Sequence, residues 1–265
     1  MSIRIRPPAV AGMFYPADAD TLSQQIEAML TAVRPAIFTH PKALIAPHAG
    51  YIYSGPIAAS AYTLLQDMGN IRRVVLLGPV HRVPVRGLAL PGADFFSTPL
   101  GEIPLDKEAM ESIVQLPQVV WSDAAHAMEH SLEVHLPFLQ RVLGDFRLVP
   151  LAVGDATPED VAEVLDALWG NDETLIVISS DLSHYLPYQQ AQQVDRITAD
   201  NILAKQWPIN HEQACGATPI NGLLATSDRH GLTSHLLDLR NSGDTAGDKQ
   251  QVVGYGAFAF EEETG

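Results

Sequence analysis

The sequence predicts an α/β fold, a single domain over residues 1–265 with three α/β/α layers and a mixed, largely parallel central sheet. Apolar runs typical of strands buried on both faces alternate with helical patterns over most of the chain. Three runs lead into a small polar cluster that carries a histidine, at residues 44–48, 74–81 and 175–184. Ligands bind beyond the carboxyl ends of strands in open α/β sheets, so these runs predict a site at one sheet edge.

The first half of the chain contains the elements that lead to two of these histidines. Apolar positions at helical spacing predict a helix over 20–33, with Asp20 as its N-cap. A strand over 42–46 precedes His48, and Pro56 is expected to open a helix that runs to about residue 67. The elements predicted after it are a strand over 72–78, short strands and turns over 85–103, and a helix near 105–115.

The second half continues the same alternation. A helix over 131–143 is expected to begin at Ser131 as cap, and one over 158–169 follows Thr157, with Pro158 in its first turn. The other predicted elements are strands over 147–153 and 174–180, helices over 189–205 and 218–229, and paired strands near 235–240 and 252–260. The closing pair is expected to be antiparallel, which makes the sheet mixed.

Composition limits the partners and the compartment. The formal net charge of −15 argues against nucleic acid and anionic membranes as partners, because both attract basic surfaces. No apolar stretch reaches the roughly 18 residues that span a bilayer, and no signal peptide is evident, so a cytoplasmic protein is expected. With Cys215 as its single cysteine, the chain cannot form an intramolecular disulfide.

Three residues are candidate metal ligands. His48 and His81 lie in loops at matching strand ends, and neutral imidazoles bind first-row metals well. Cys215 precedes a helix expected to begin at Pro219, whose positive end would favour a thiolate that acts as ligand or nucleophile. Hydrogen-bonded structural histidines and an inert buried thiol are the alternatives.

Asp181 and His184 form a second candidate group directly after the apolar run at 175–178. A carboxylate beside an imidazole fixes its tautomer and raises its basicity, which suits acid/base catalysis or support of a metal ligand. Alternatively, Asp181 or Ser183 caps the following turn and His184 lies on the surface.

Residues 126–135 carry a third cluster of polar side chains. On a continuous helix His126, His130 and Glu133 would share one face, as a second metal site requires. The segment lacks the His-Glu-x-x-His spacing of zinc hydrolases, so the preferred interpretation is that it lines the pocket.

The motifs together resemble the Memo family. The matching segments are 6–16, 47–55, 78–81, 129–138, 179–185, 215–216 with 219–220, and 254–255. The resemblance implies a fold similar to that of class III extradiol dioxygenases, which are non-haem iron enzymes that open catechol rings. It also implies a shared pathway with a radical-SAM protein.

The resemblance also implies roles for individual residues. His48 and His81 match the two histidine ligands of the dioxygenases, His184 matches their acid/base histidine, and Cys215 stands where their carboxylate ligand stands. Fe(II) is the expected cofactor, and the softer sulfur makes Cu or Zn the alternatives. The residues expected around the substrate are Tyr51, His130, Glu133 and Tyr255.

The leading functional hypothesis is a metal-dependent redox enzyme that acts on a small molecule, with Asp181 and His184 in catalytic roles. One alternative is a non-catalytic module that uses the same pocket for a peptide, a phosphopeptide or metal handling. A metal-free hydrolase that combines Cys215 with His184 is a further alternative.

Overall fold

The computed structural model describes residues 3–34, 40–66 and 68–262 and shows an α/β chain with mixed sheets. The helices are α1 (Ala19–Ala32), α2 (Tyr51–Tyr62), α3 (Lys107–Ile113), α4 (Asp123–Ala127), α5 (Leu136–Val142), α6 (Pro158–Leu168), α7 (Tyr188–Leu203) and α8 (Ala217–Ser227). The strands are β1 (Ile5–Arg6), β2 (Ala43–Ala46), β3 (Arg73–Pro79), β4 (Leu88–Leu90), β5 (Phe95–Thr98), β6 (Gly101–Pro104), β7 (Val119–Trp121), β8 (Arg147–Val153), β9 (Thr174–Ser179), β10 (His184–Leu186), β11 (Leu232–Asn241) and β12 (Val252–Glu262).

The main sheet brings the three histidine-bearing strands side by side. Its order is β10-β12-β2-β9-β3-β8-β4-β7, with β11 also paired to β12, and β1, β5 and β6 form a smaller sheet. The central strands β2, β9, β3 and β8 are parallel neighbours. The carboxyl ends of β2, β9 and β3 therefore lie at one edge, which confirms the predicted meeting of their loops.

The predicted antiparallel closing strands are confirmed. β11 pairs antiparallel with β12, which pairs antiparallel with β2, so the sheet is mixed. Central positions such as Val75, Leu76 and Ile176 are fully buried, as expected for strands covered on both faces.

Helices pack in two groups that contact the sheet. α1, α2 and α5 contact one another, and α2 packs on β2 and β12. α6 packs on α8 and α3, while α8 contacts β3 and β9. One continuous hydrophobic core extends from Val10 to Phe260.

Two helix starts differ from the prediction in the first half of the chain. The N-cap of α1 is Asp18 rather than Asp20, because the Asp18 carboxylate accepts a hydrogen bond from Thr21 N at 2.9 Å. α2 begins at Tyr51, and Pro56 lies inside it. Burial of the Tyr51 side chain and a 2.8 Å bond from Tyr51 N to Phe14 O fix this earlier start. The expected end at residue 67 lies outside the described residues.

Two further helix predictions are corrected in the second half. The helix expected over 131–143 is a 3-10 turn at Glu133–His135 followed by α5. Ser131 does not cap it, because its hydroxyl donates to Pro79 O at 2.8 Å. α8 begins at Ala217 rather than Pro219, with Gly216 as its N-cap.

The short elements β1, β7, α4 and β10 were not predicted, because segments of two to five residues carry too little periodicity. α6 has the expected cap, a reciprocal pair between Thr157 and Asp160. Among the described residues, no helix has both the length and the apolar character that a membrane span requires.

Candidate metal centre

The structure brings His48, His81 and Cys215 together at the edge where the parallel strands end. Their potential ligand atoms all lie within 4.8 Å of one another. Cys215 Sγ is 3.3 Å from His48 Nε2, and the His48 and His81 ring centroids are 5.2 Å apart. The three residues come from the loops after β2 and β3 and from the segment just before α8, which are far apart in sequence.

A hydrogen-bond chain fixes the His48 ring. Ser179 Oγ donates to Ser131 O at 2.6 Å, so it accepts the proton of His48 Nδ1 at 2.7 Å. This leaves the His48 Nε2 lone pair directed at Cys215 Sγ. Burial lowers the pKa of His48 well below its usual value, which keeps the imidazole neutral and able to bind a metal.

Glu129 holds His81 in the same way. Its carboxylate accepts from His81 Nδ1 at 2.9 Å and from His81 N at 2.6 Å. Burial opposes ionisation of this carboxyl, but hydrogen bonds from His81 and Ser131 lower the pKa of Glu129 to about 2. The His81 Nε2 atom is thereby left for a ligand. Sequence reasoning missed Glu129, because its partner is 48 positions away and local spacing gives no sign of it.

Cys215 reaches the cluster because α8 approaches the end of β9 closely. A Cβ atom on Gly216 would lie 2.5 Å from Ser179 O, so a glycine is required at this helix start. Asp181 N donates to Cys215 Sγ at 3.3 Å. Burial, together with the Asp181 carboxylate, raises the pKa of the Cys215 thiol to about 12. Burial therefore opposes the thiolate that the helix N-terminus is expected to favour.

Asp181 supports His48 rather than His184. Its carboxylate accepts from His48 N at 2.8 Å and lies 4.0 Å from His48 Nε2. Burial raises the pKa of Asp181 to about 7, with a partial opposing effect from the His48 hydrogen bond. His184 Nδ1 instead bonds to Leu182 O at 2.8 Å. The expected pairing of Asp181 with His184 is therefore not formed, although Asp181 contacts His48 and His184 interacts electrostatically with His48 and His81.

Of the residues expected around the substrate, His130 lies at the cluster. Its ring stacks on His81 with centroids 4.6 Å apart and is 5.5 Å from the ring of His48. Tyr51 and Tyr255 are buried, and the Tyr51 hydroxyl donates to Val134 O at 2.7 Å.

Glu133 is fully buried and anchors the N-terminal segment. Its carboxylate pairs with Arg6 and accepts from Ala9 N, Val10 N and the Tyr15 hydroxyl. His126 donates from Nε2 to Ala89 O at 2.8 Å. The helical face expected for His126, His130 and Glu133 does not form, because α4 ends at Ala127 and a 3-10 turn follows.

A cavity of about 640 Å³ opens beside the cluster. His81 and Cys215 contribute to its wall, so two of the three clustered residues face a space that a small molecule can enter.

Comparison with known proteins gives a consistent result over almost the whole chain. The family described as "Memo-like protein" matches residues 6–259. A MEMO1 family protein of Aquifex aeolicus is 36% identical over 97% of this chain and 100% of its own length. One from Methanopyrus kandleri is 38% identical over 96% of this chain and 98% of its own. One from Ignicoccus hospitalis is 36% identical over 97% and 98%.

Proposed function

The chain belongs to the Memo family, and on that premise we propose that it is a metal-dependent redox protein that acts on a small molecule. His48, His81 and Cys215 would hold a non-haem iron. The observation that carries the proposal is the convergence of three potential ligand atoms within 4.8 Å at the edge of a parallel sheet.

The donor set fits such a metal. Both histidines have Nδ1 engaged by a hydrogen-bond partner, so both offer Nε2. Burial raises the pKa of the Cys215 thiol, and a cation bound at the cluster would stabilise its thiolate form. Two imidazoles and one sulfur suit Fe(II), with Cu or Zn as alternatives.

His184 is proposed to move the proton. When bound, the metal supplies Lewis acidity and redox chemistry to the site. His184 donates from Nδ1 to Leu182 O, which leaves Nε2 as the atom that takes or returns a proton. Burial lowers the pKa of His184, so the imidazole is a neutral base near pH 7.

We further infer that residues 1–265 form one Memo-like domain of the three-layer, extradiol-dioxygenase type. The parallel centre of the sheet, the two separate helix groups and the continuous core support this inference. A crystal structure in which helices cover one face of the main sheet and leave the other bare would contradict it.

The test measures metal and oxygen together. Protein reconstituted anaerobically with Fe(II) is assayed for bound iron and then for oxygen uptake with a panel of catechols. We expect His48→Ala to lose most of its iron. His40→Ala, at an exposed position, should bind as much iron as the parent. His184→Ala should keep its iron and lose any oxygen uptake, typically by 10²–10⁴-fold for an acid/base group. Iron loss in His184→Ala equal to that in His48→Ala would make His184 a ligand instead.

Metal handling without turnover is the second candidate function. The sulfur of Cys215 in place of a carboxylate favours it, because thiolates prefer soft ions such as Cu(I). Tight copper binding with no oxygen uptake on any catechol or thiol would favour this second function over the first.

A further inference from the structure

The cavity beside the metal-binding cluster is lined by further polar side chains. His81 and Cys215 form part of its wall. Arg82, His211 and Thr218 line the rest, together with the exposed Asp155 and apolar residues. Because Arg82 lines the same cavity as His81 and Cys215, a molecule that occupies the cavity can contact Arg82 and the cluster together.

Arg82 is available to such a molecule. Its exposed side chain has no hydrogen bond or ion pair with the described residues. Six of the described arginines pair with carboxylates, as Arg73 does with Asp106 and Arg229 does with Asp166, and Arg82 is among those that do not. An unpaired guanidinium beside a cavity can form two parallel hydrogen bonds with a carboxylate or another oxyanion.

The start of α8 borders the same cavity. Thr218 and Pro219 lie in the first turn of this 11-residue helix and line the cavity. The His211 ring lies between Cys215 O, at 3.4 Å, and Thr218 Oγ1, at 3.3 Å. The His211 and Thr218 side chains are hydrogen-bonded to each other, so here the positive end of the helix dipole favours an anion over a neutral or cationic group.

We propose that the substrate carries an oxyanion group, planar or tetrahedral, which pairs with Arg82 while another part of the molecule lies at the metal cluster. This inference rests on the proposed function, because it assumes that the reacting part of the molecule binds where His81 and Cys215 meet the cavity. The overall negative charge of the chain does not oppose it, since a guanidinium in contact with the anion acts over a few ångströms and distant surface charges are screened.

The test uses protein loaded with Co(II), whose visible spectrum reports a new sulfur ligand. Four small thiols differ in the group at the far end: 3-mercaptopropionate, 2-mercaptoethanesulfonate, 2-mercaptoethanol and cysteamine. We expect the two anionic thiols to bind about tenfold more tightly than the neutral one, as a charge-assisted pair would give. Cysteamine should bind most weakly. The order of the carboxylate and the sulfonate distinguishes a planar from a tetrahedral group.

Arg82→Gln should reduce the preference for the anionic thiols to about twofold or less. Arg86→Gln is the matched control, because Arg86 is exposed on the same loop and does not line the cavity. It should keep the full preference. Equal affinities for all four thiols, or no spectral response to the anionic ones, would contradict this inference while cobalt binding still supports the metal site. Absence of cobalt binding that depends on His48 would overturn the proposed function and this inference together.

Discussion

The two histidines of the cluster are each held at Nδ1 by a different acceptor, so the geometry of the site depends on side chains that would not touch the metal. Of the two acceptors, Ser179 and Glu129, Glu129 accepts more hydrogen bonds, which come from His81, from His130 N and from Ser131 N. Its charge also raises the basicity of the His81 ring.

Glu129→Gln is therefore expected to weaken metal binding by roughly 10–100-fold, because the amide keeps the shape but loses the charge. Competition of the parent and the variant for Zn²⁺ against a chromophoric chelator measures the change. Glu102→Gln, at an exposed position of β6, is the control and should match the parent. Equal zinc affinity of Glu129→Gln and the parent would show that the carboxylate has no influence on the cluster.

Asp181 is 4% exposed and accepts a hydrogen bond from His48 N, so its carboxyl group supports the fold as well as the cluster. Asp181→Ala should lower metal affinity by roughly 10–100-fold. It should also reduce the free energy of unfolding by about 1–3 kcal/mol, because His48 N loses its acceptor in the interior. Urea denaturation and zinc competition measure the two effects. Asp181→Asn keeps an acceptor for His48 N. If its free energy of unfolding is close to that of the parent, the stability lost in Asp181→Ala is due to the hydrogen bond from His48 N.

At the scale of elements, the N-terminal segment is attached through one buried carboxylate. Glu133 binds Arg6 and three further donors of residues 9–15. Glu133→Ala leaves Arg6 buried without its counter-charge, so we expect a loss of about 3–5 kcal/mol in the free energy of unfolding. Limited proteolysis should then cut within residues 3–16 earlier than in the parent. A proteolysis pattern identical to that of the parent would show that the segment is held by its apolar contacts instead.

The elements that could be predicted from sequence are those with long periodic patterns. The strand expected over 147–153 is β8 itself, and those expected over 72–78 and 174–180 shift by one residue at most. Their loops could be placed at one edge because parallel strands share a direction. The attachment of β1 could not be predicted, since it depends on the pairing of Arg6 with Glu133, 127 positions away. The contact between Glu129 and His81 could not be predicted for the same reason. The position of Pro56 inside α2 could not be predicted either, because the burial of Tyr51 overrides the preference of proline for the first turn of a helix.

At the scale of the whole molecule, stability should depend on pH through Asp195. This carboxyl is buried on α7 and accepts from Ser183 N at 3.0 Å. Burial raises its pKa to about 6 in the folded protein, while an unfolded chain has the ordinary value near 3.9. Between these two values the folded state holds the proton that the unfolded state has released. The contribution of this group is therefore fully present at low pH and is lost as the pH rises through about 6.

Asp195→Asn should remove this dependence. A shift of about two pKa units corresponds to at most about 3 kcal/mol. Between pH 4 and pH 7 the free energy of unfolding of the parent should therefore fall by about 1–3 kcal/mol more than that of Asp195→Asn. Urea denaturation at a series of pH values measures both slopes. Asp200→Asn, at an exposed position of the same helix, is the control and should follow the parent. Parallel curves for the parent and Asp195→Asn would mean that this carboxyl does not hold its proton in the folded protein. A steeper fall in the parent alone would show that the folded protein is stabilised by a proton held on Asp195, the buried carboxyl group that accepts from Ser183 N.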